Sequence, residues 1–221
     1  IRPFNFFGNP ETSVNNYFQS NEINEEGINI SKKALAEFDG FFEILQQNNL
    51  NVVLFNDTEK PITPDSIFPN NWISTYQDGN IFTHPMFAKN RRLERRKDII
   101  DFLKINFSVS NVFDDAELNE KNQNFLEGTG SMVLDRVNKI VYAALSERTC
   151  YDLIHDFCVK TNFSSILFTA FQNYNQEKII YHTNVMMSVC ENFAVLCLDS
   201  IKDANEKNKV FDFLIKTKKE I

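Results

Sequence analysis

The chain has 221 residues, 43% of them hydrophobic, with a formal net charge of −7 and a sequence pI of about 5.1. This length suits one large domain or two small ones, and the hydrophobic content is sufficient for a buried core. The acidic balance disfavours a nucleic-acid-binding protein, because such a protein needs a basic face to neutralise phosphates.

The first predicted element is a helix over residues 31–48. Its hydrophobic residues recur at spacings of three and four, which places them on one face, and Ser31 is a candidate N-cap. Val52–Phe55 is rich in β-branched and aromatic residues, so a strand is expected to follow the helix.

Three later segments share one pattern, in which two apolar runs flank a short polar turn. They span residues 71–86, 130–145 and 184–199. Asp78-Gly79 is a strong hairpin signal in the first segment, and asparagine in the other two turns tolerates left-handed geometry. The pattern predicts three β-hairpins.

The hairpins recur at regular spacing, which indicates an internal repeat. Gly79 and Asn138, in the first two turns, are 59 residues apart, as are Asn71 and Gly130 at the segment starts. Between the second and third segments, the turns are 54 residues apart and so are the segment starts. Each hairpin is followed by a helical pattern, and two of these helices by a strand: helices over 89–105, 147–161 and 202–216, and strands over Asn111–Phe113 and Ile166–Phe171.

These elements predict one α/β domain over residues 1–221, built from repeated ββαβ units. The expected units span about 1–57, 58–115, 116–171 and 172–221, and the fourth lacks its closing strand. Each unit would expose a hydrophobic face that only a neighbour can cover, so the array is expected to close on itself.

Polar residues lie just before the first strand of three units. If the units surround an axis, these side chains meet at one end, as in an active site. Taken singly, the amides could be turn caps and the histidine structural. The residues are Asp65, Asn70 and Asn71 in the second unit, Glu127 in the third, and His182 and Asn184 in the fourth.

The cysteines and the hydropathy of the chain disfavour two further classes. None of the cysteines forms a CxxC pair, so no zinc site is expected, and no apolar stretch of 18 residues suggests a membrane span. We expect a cytoplasmic protein whose four cysteines are small buried side chains. They are Cys150, Cys158, Cys190 and Cys197.

Several motifs together resemble the guanidino-group-modifying, or pentein, superfamily: PDSIFPNN, NRRLERR, FLEGTGSMVLDR, ALSERT and YHTNV. That superfamily includes arginine deiminases, dimethylarginine hydrolases and amidinotransferases, and this chain is most similar to the branch of citrulline ureidases. The resemblance implies an α/β propeller of five ββαβ modules, of which this sequence would supply about four, without the C-terminal one.

The resemblance also implies roles for individual residues. Glu127 matches the catalytic carboxylate and His182 the catalytic histidine. Arg148 matches an arginine that binds the substrate α-carboxylate, a role that Arg91 or Arg92 could share. Asp65 is retained, whereas the acidic pair of dimethylarginine hydrolases is replaced by Asn70-Asn71, and Asn184 replaces a deiminase aspartate.

These replacements favour a neutral end group on the substrate. An amide cannot neutralise a buried guanidinium cation, but it can both donate to and accept from a urea. We therefore expect a hydrolase that converts citrulline to ornithine, ammonia and carbon dioxide through a covalent cysteine adduct, without metal or organic cofactor. The resemblance places the nucleophilic cysteine in the fifth module, beyond Ile221.

Two alternatives remain open at this point. The first is an arginine deiminase or dimethylarginine hydrolase, if Asp65 and Glu127 suffice for a guanidinium. The second is a truncated, inactive propeller that binds a small amino acid or a partner. The expected partner is a small amino-acid substrate, with no nucleic acid and no membrane, and homo-oligomer formation is left open.

Overall fold

The computed structural model describes residues 1–16, 27–174, 176–218 and 220–221. The chain divides into two compact units. The first comprises Ile1–Pro69 and Ala88–Val109, and the second comprises Asn70–Phe87 and Ser110–Ile221. In the part of the chain that the structure describes, no helix is long and apolar enough to cross a membrane.

The first unit is helical in its described residues. The predicted first helix is present, but it begins before Ser31, whose hydroxyl instead accepts a hydrogen bond from the Phe6 N–H at 3.1 Å. The strand expected at Val52–Phe55 is wrong, because among the described residues this stretch forms no ladder. The Phe55 carbonyl accepts from the Arg2 N–H at 2.8 Å, and Asn56 forms an isolated bridge to Arg2. The helices are α1 Gly27–Gln47, α2 Lys89–Arg92 and α3 Lys97–Asn106.

The continuous helix expected over 89–105 is therefore interrupted between α2 and α3. The break accompanies the burial of Arg91 and Glu94 on either side of the α2 end, where the two form an ion pair at 2.9 Å and Arg91 Nη2 also donates to the distant Asp65 carbonyl at 3.4 Å. Arg96 adopts an extended conformation and precedes α3 as its N-cap residue. No proline or glycine marks this break in the sequence.

The second unit contains two three-stranded sheets with the same strand order. In each, an antiparallel hairpin is extended by a parallel third strand, as the repeat predicts. The first sheet consists of β1 Ile73–Thr75, β2 Asn80–Thr83 and β3 Asn111–Phe113, and the second of β4 Val133–Asp135, β5 Ile140–Ala144 and β6 Ser164–Phe168.

Two further hairpins complete the strands of this unit. One was not predicted from the sequence and pairs β7 Phe171–Tyr174 with β8 Gln176–Ile179. The other pairs β9 Met187–Val189 with β10 Ala194–Leu196, as predicted. Phe193, directly before β10, forms a parallel bridge with Glu220. This bridge occupies the place that the parallel third strand has in the two three-stranded sheets.

The described residues of the second unit include the α-helices α4 Ala116–Lys121, α5 Gly128–Ser131, α6 Tyr151–Thr161 and α7 Ala204–Thr217. The helices predicted over 147–161 and 202–216 correspond to α6 and α7. Asp203 caps α7 by accepting from the N–H groups of Asn205 and Glu206, both at 2.9 Å.

Side chains from the sheets and the last two helices form the core of this unit. One cluster joins β5, β6, β9 and α7, and a second joins β2, β5 and α6. Fully buried members include Tyr142, Phe168, Ile154, Ile201 and Leu214.

Two sequence expectations about the second unit are corrected. The left-handed residue of the second hairpin turn is Lys139, with φ of 53°, and not Asn138. Only Cys158 is buried among the cysteines, while Cys150 is half-buried and both Cys190 and Cys197 are exposed. The module boundaries and the single-domain organisation stay predictions.

Candidate active site

A single helical turn precedes the hairpin in each of the three repeated segments. The turns are Pro69–Asn71 before β1, α5 before β4, and Thr183–Val185 before β9. In the second unit they bring together Asn71, Glu127 and His182, which the sequence placed at equivalent repeat positions.

Glu127 and His182 form the centre of the site. The His182 Nε2 and Glu127 Oε2 atoms are 2.6 Å apart, and both side chains are buried. The second carboxylate oxygen, Oε1, accepts the backbone N–H of Phe87 at 2.9 Å. A buried carboxylate needs such partners, because desolvating it without them is costly.

Arg148 supplies a positive charge beside this pair. Its Nη1 lies 3.5 Å from Glu127 Oε2, and the whole residue is only 1% exposed. The guanidinium carbon lies 4.8 Å from the ring centroid of Tyr181 and 5.7 Å from that of Phe87, so the cation is held between aromatic rings. The arginine predicted to bind a substrate carboxylate thus lies next to the candidate catalytic carboxylate.

Two hydroxyl groups fix the turns that carry these residues. Ser131 Oγ accepts from the Glu127 N–H at 3.0 Å and donates to the Arg148 carbonyl at 2.7 Å. Thr183 Oγ1 donates to the Ser131 carbonyl at 2.5 Å and accepts from the Ala144 N–H at 2.8 Å. The turn bearing His182 is thereby tied to the turn bearing Glu127.

The three predicted amides differ in their surroundings. Asn71 is buried, and its Nδ2 donates a long bond to the Glu127 carbonyl at 3.5 Å. Asn70 is half-buried and accepts from Thr129 Oγ1 through its backbone carbonyl, at 3.4 Å. Asn184 is exposed and lines a cavity of about 280 Å³ between β4 and β9.

His84 lies under this site as a neutral, structural side chain. It is fully buried, and desolvation lowers its pKa to about 3. Its Nε2 lies 2.8 Å from Ser74 Oγ, and its Cδ2 lies against Gly128. A histidine that cannot protonate at neutral pH gives the turn a fixed support.

The first unit holds a separate polar cluster around Asp65. The Asp65 carboxylate accepts from Asn9 Nδ2 at 2.7 Å and lies 3.7 Å from Arg91 Nε. Arg91 also pairs with Glu94 through two contacts of 2.9 Å, whereas its neighbour Arg92 is half-buried. Arg91 is thus engaged with two carboxylates inside the first unit.

The family of the chain follows from comparison with known proteins. A family model described as "N,N dimethylarginine dimethylhydrolase, eukaryotic" matches residues 2–221. The chain belongs to this dimethylarginine hydrolase family. The resemblance to the guanidino-group-modifying superfamily is confirmed. No curated protein matches the sequence.

Solved structures similar to this dimethylarginine hydrolase family member include ArgZ and AgrE. The N-terminal domain of ArgZ, an arginine dihydrolase from the ornithine–ammonia cycle in cyanobacteria, solved with bound substrate, gives a TM-score of 0.65 at 15% identity, over 86% of this chain and 65% of that chain. AgrE, solved with ornithine and NAD⁺, gives a TM-score of 0.65 at 17% identity, over 86% of this chain and 26% of that chain.

A dimethylarginine dimethylaminohydrolase, solved as an adduct with 4-chloro-2-hydroxymethylpyridine, gives a TM-score of 0.59 at 15% identity, over 80% of this chain and 65% of that chain. This family member therefore shares the α/β fold of these enzymes. It spans slightly under two thirds of the ArgZ domain that it matches.

Several residues of this site were not identified from the sequence of the family member. Ser131 and Thr183 lie inside the motifs FLEGTGS and YHTNV, so their position next to Glu127 and His182 was the available signal. Phe87 had no local signal, because its contact with Glu127 depends on the fold. Among the described residues, no group of three or more His, Cys, Asp or Glu side chains could hold a metal ion.

Proposed function

We propose that the protein is a hydrolase acting on the ureido carbon of an arginine-related amino acid, with citrulline as the favoured substrate. The observation that carries this proposal is the buried Glu127–His182 pair with the Asn71 amide beside it. The imidazole can transfer protons, the carboxylate can orient it, and the amide can hydrogen-bond a ureido group, while the reaction also needs a cysteine nucleophile.

The charges around Glu127 favour a neutral end group over a cationic one. The single negative charge of Glu127 already faces the guanidinium of Arg148. A substrate guanidinium would bring a second buried cation to that carboxylate, and its desolvation would be poorly compensated. A ureido group carries no charge, and the Asn71 amide can donate to its oxygen or accept from its nitrogen.

The proposed reaction proceeds through a covalent thiol adduct. A cysteine thiolate adds to the ureido carbon, and the δ-nitrogen leaves as ornithine after His182 gives it a proton. The S–C bond of the resulting carbamoyl thioester is then cleaved by a water that His182 deprotonates. The released carbamic acid gives ammonia and carbon dioxide, so citrulline and one water are consumed. The family resemblance places the cysteine beyond Ile221, which stays a prediction.

The remaining residues receive supporting roles in the proposal. Glu127 orients His182 and stabilises its cationic form. Arg148 places a positive charge 3.5 Å from the Glu127 carboxylate and could contribute to binding the substrate α-carboxylate. Asp65, Arg91 and Arg92 in the first unit, and Asn70 and Asn184 in the second, keep predicted substrate-binding roles that rest on the family resemblance.

Steady-state kinetics on the full-length protein test the proposal. We expect a higher kcat/KM for citrulline than for arginine or dimethylarginine. Asn71→Asp should lower citrulline turnover, because a carboxylate cannot donate to the ureido oxygen. Asn205→Asp makes the same charge change at an exposed position on α7 and serves as the control. A higher kcat/KM for arginine, or unchanged citrulline kinetics in Asn71→Asp, would overturn the assignment.

The second candidate is hydrolysis of a methylated arginine, which the family model favours. In that case dimethylarginine would have the highest kcat/KM, and Asn71→Asp would raise it by supplying a second carboxylate for the guanidinium. A cytoplasmic location and homo-oligomer formation remain predictions from the sequence. An inactive amino-acid-binding protein would show a citrulline heat of binding in calorimetry without turnover.

A further inference from the structure

The backbone of Gly130 lies in contact with two groups of the site at once. A Cβ atom built on this residue would lie 2.4 Å from Asn71 Nδ2 and 2.8 Å from both Cε1 and Nδ1 of His182. Real Cβ contacts are essentially never shorter than 3.0 Å, so any side chain here would have to displace a neighbour. The position that a side chain of Gly130 would occupy is therefore taken by an amide and an imidazole, and Gly130 is called the spacer below.

The two neighbours of Gly130 are not equally close to its missing side chain. The His182 ring is held by its 2.6 Å bond to Glu127, and its turn is tied to Ser131 through the Thr183 hydroxyl. The Asn71 Nδ2 atom lies 2.4 Å from the position of the Cβ atom, against 2.8 Å for the nearest ring atoms of His182. A methyl group at Gly130 would therefore displace the amide first.

The preceding glycine of the motif has a different role. Gly128 has φ of +46°, and a Cβ there would meet the backbone carbonyl oxygen of Asn70 at 2.2 Å. That contact fixes the backbone of the Asn70-Asn71 turn, whereas Gly130 fixes the distance to the Asn71 side chain. The motif EGTG thus positions the backbone with one glycine and the side chain with the other.

We propose that Gly130 is a specificity-determining positioning residue, because its missing side chain lets the Asn71 amide and the His182 imidazole contact the same backbone carbon. Both groups then face one small end group of the substrate: His182 at the leaving nitrogen, and Asn71 at the ureido oxygen. This inference rests on the proposed function and names the element that aligns the ureido-binding amide with the proton donor.

The kinetic test compares Gly130→Ala, Asn71→Ala and the double variant in the full-length protein. We expect Gly130→Ala to lower kcat/KM for citrulline by about 10²-fold, the scale of a misplacement of about 1 Å, and to lower arginine kcat/KM much less. The losses of the two single variants should be less than additive in the double variant, because the shorter of the two clashes, with the Asn71 amide, is then absent and only the contact with His182 remains. Equal losses on both substrates, or additive losses in the double variant, would overturn the inference.

A second measurement works even if Gly130→Ala folds poorly. Asn71→Ala removes the shorter of the clashing contacts, so the double variant should melt several degrees above Gly130→Ala alone. Gly40→Ala, on α1 with nothing within 4 Å of the new methyl, is the matched control and should not melt below the parent protein. Equal melting temperatures for Gly130→Ala and the double variant would exclude Asn71 as the clashing partner.

The two hypotheses can fail separately. If the parent protein hydrolyses neither citrulline nor arginine, the proposed function fails. The spacer is then still tested by NMR, through a nuclear Overhauser effect from the Asn71 side-chain amide to the Gly130 α-protons. If citrulline is hydrolysed but that effect is missing, the spacer inference alone is overturned.

Discussion

Glu127 and His182, which lie 55 positions apart in the sequence, form a 2.6 Å hydrogen bond in the buried centre of the second unit. Hydrogen bonds to an ionised group are shorter and stronger than neutral ones, and burial strengthens them further. The same carboxylate faces the Arg148 guanidinium at 3.5 Å. An acid, a base and a cation are thus held in a fixed arrangement before any substrate binds.

Glu127→Gln should separate the catalytic contribution of this carboxylate from its packing. The amide keeps the shape and can still accept the Phe87 N–H, but it no longer stabilises an imidazolium at His182. We expect kcat to fall by about 10²- to 10⁴-fold, the usual contribution of positioned acid–base groups, with little change in far-UV circular dichroism. A tenfold loss or less would indicate that His182 works without its carboxylate partner.

His84 makes the free energy of unfolding depend on pH. Burial lowers its pKa to about 3 in the folded state, against about 6.5 when unfolded. Between these values the unfolded chain binds the proton and the folded chain does not, so stability falls as the pH is lowered from 6.5 towards 3. The slope is about 1.4 kcal/mol per pH unit, or about 5 kcal/mol over the whole range. Above pH 6.5 His84 contributes no pH dependence.

Urea unfolding at several pH values measures this slope. His84→Gln should reduce the acid slope by about 1.4 kcal/mol per unit. His155→Gln on α6 is the matched control, since its side chain is exposed in the folded protein and should not change the slope. An unchanged slope in His84→Gln would mean that other groups cause the acid sensitivity.

A buried ion pair links the end of α7 to the second hairpin. Lys218 Nζ lies 2.7 Å from Asp135 Oδ2, and neither side chain is more than 2% exposed. Desolvation on its own raises the pKa of Asp135, but the bonds from Lys218 and Asn138 outweigh it and leave the pKa below its usual value. The pair therefore stabilises the fold at neutral pH, and this contribution is lost as the pH falls through the lowered pKa.

Lys218→Met should leave the Asp135 carboxylate buried without its cation. The expected cost is about 3–5 kcal/mol in the free energy of unfolding, because removing one partner of a buried pair strands the other. The double variant Asp135→Asn with Lys218→Met should recover most of that loss. Lys216→Met, on the exposed side of α7, is the control and should change stability little. Additive losses in the double variant would contradict a direct pairing.

The sequence was sufficient to predict the parts of the fold that depend on local pattern. The three hairpins follow from alternating hydrophobicity and turn residues, and α6 and α7 follow from spacings of three and four. The sequence also placed Asn71, Glu127 and His182 just before the first strands of three successive units, although their spacings of 56 and 55 residues differ from the hairpin offsets of 59 and 54. In the structure each of them lies in or directly before a single helical turn that precedes a hairpin.

The sequence was insufficient where a distant contact decides the local structure. Val52–Phe55 has strand propensity but no ladder partner, and propensity alone does not make a strand. The break between α2 and α3 accompanies the burial of Arg91 and Glu94, and Arg91 contacts Asp65 across 26 residues. The placement of Arg148 beside Glu127, between two aromatic rings, likewise depends on tertiary packing.

Gly128→Ala should be the most destabilising of the single glycine substitutions discussed. Its φ of +46° is strained for any residue with a Cβ, and that atom would lie 2.2 Å from the Asn70 carbonyl oxygen and 3.1 Å from His84 Cδ2. Neither neighbour can yield easily, because one is backbone and the other is fully buried. Strain and overpacking together should cost about 2–4 kcal/mol in the free energy of unfolding.

Gly40→Ala, in the middle of α1, is the control for Gly128→Ala and should instead gain about 0.5–1 kcal/mol from helix propensity. Urea denaturation of the two variants measures both values. A Gly128→Ala protein as stable as the parent would show that the turn can move away from Asn70, and the close approach of these two turns would then not be a fixed feature of the site.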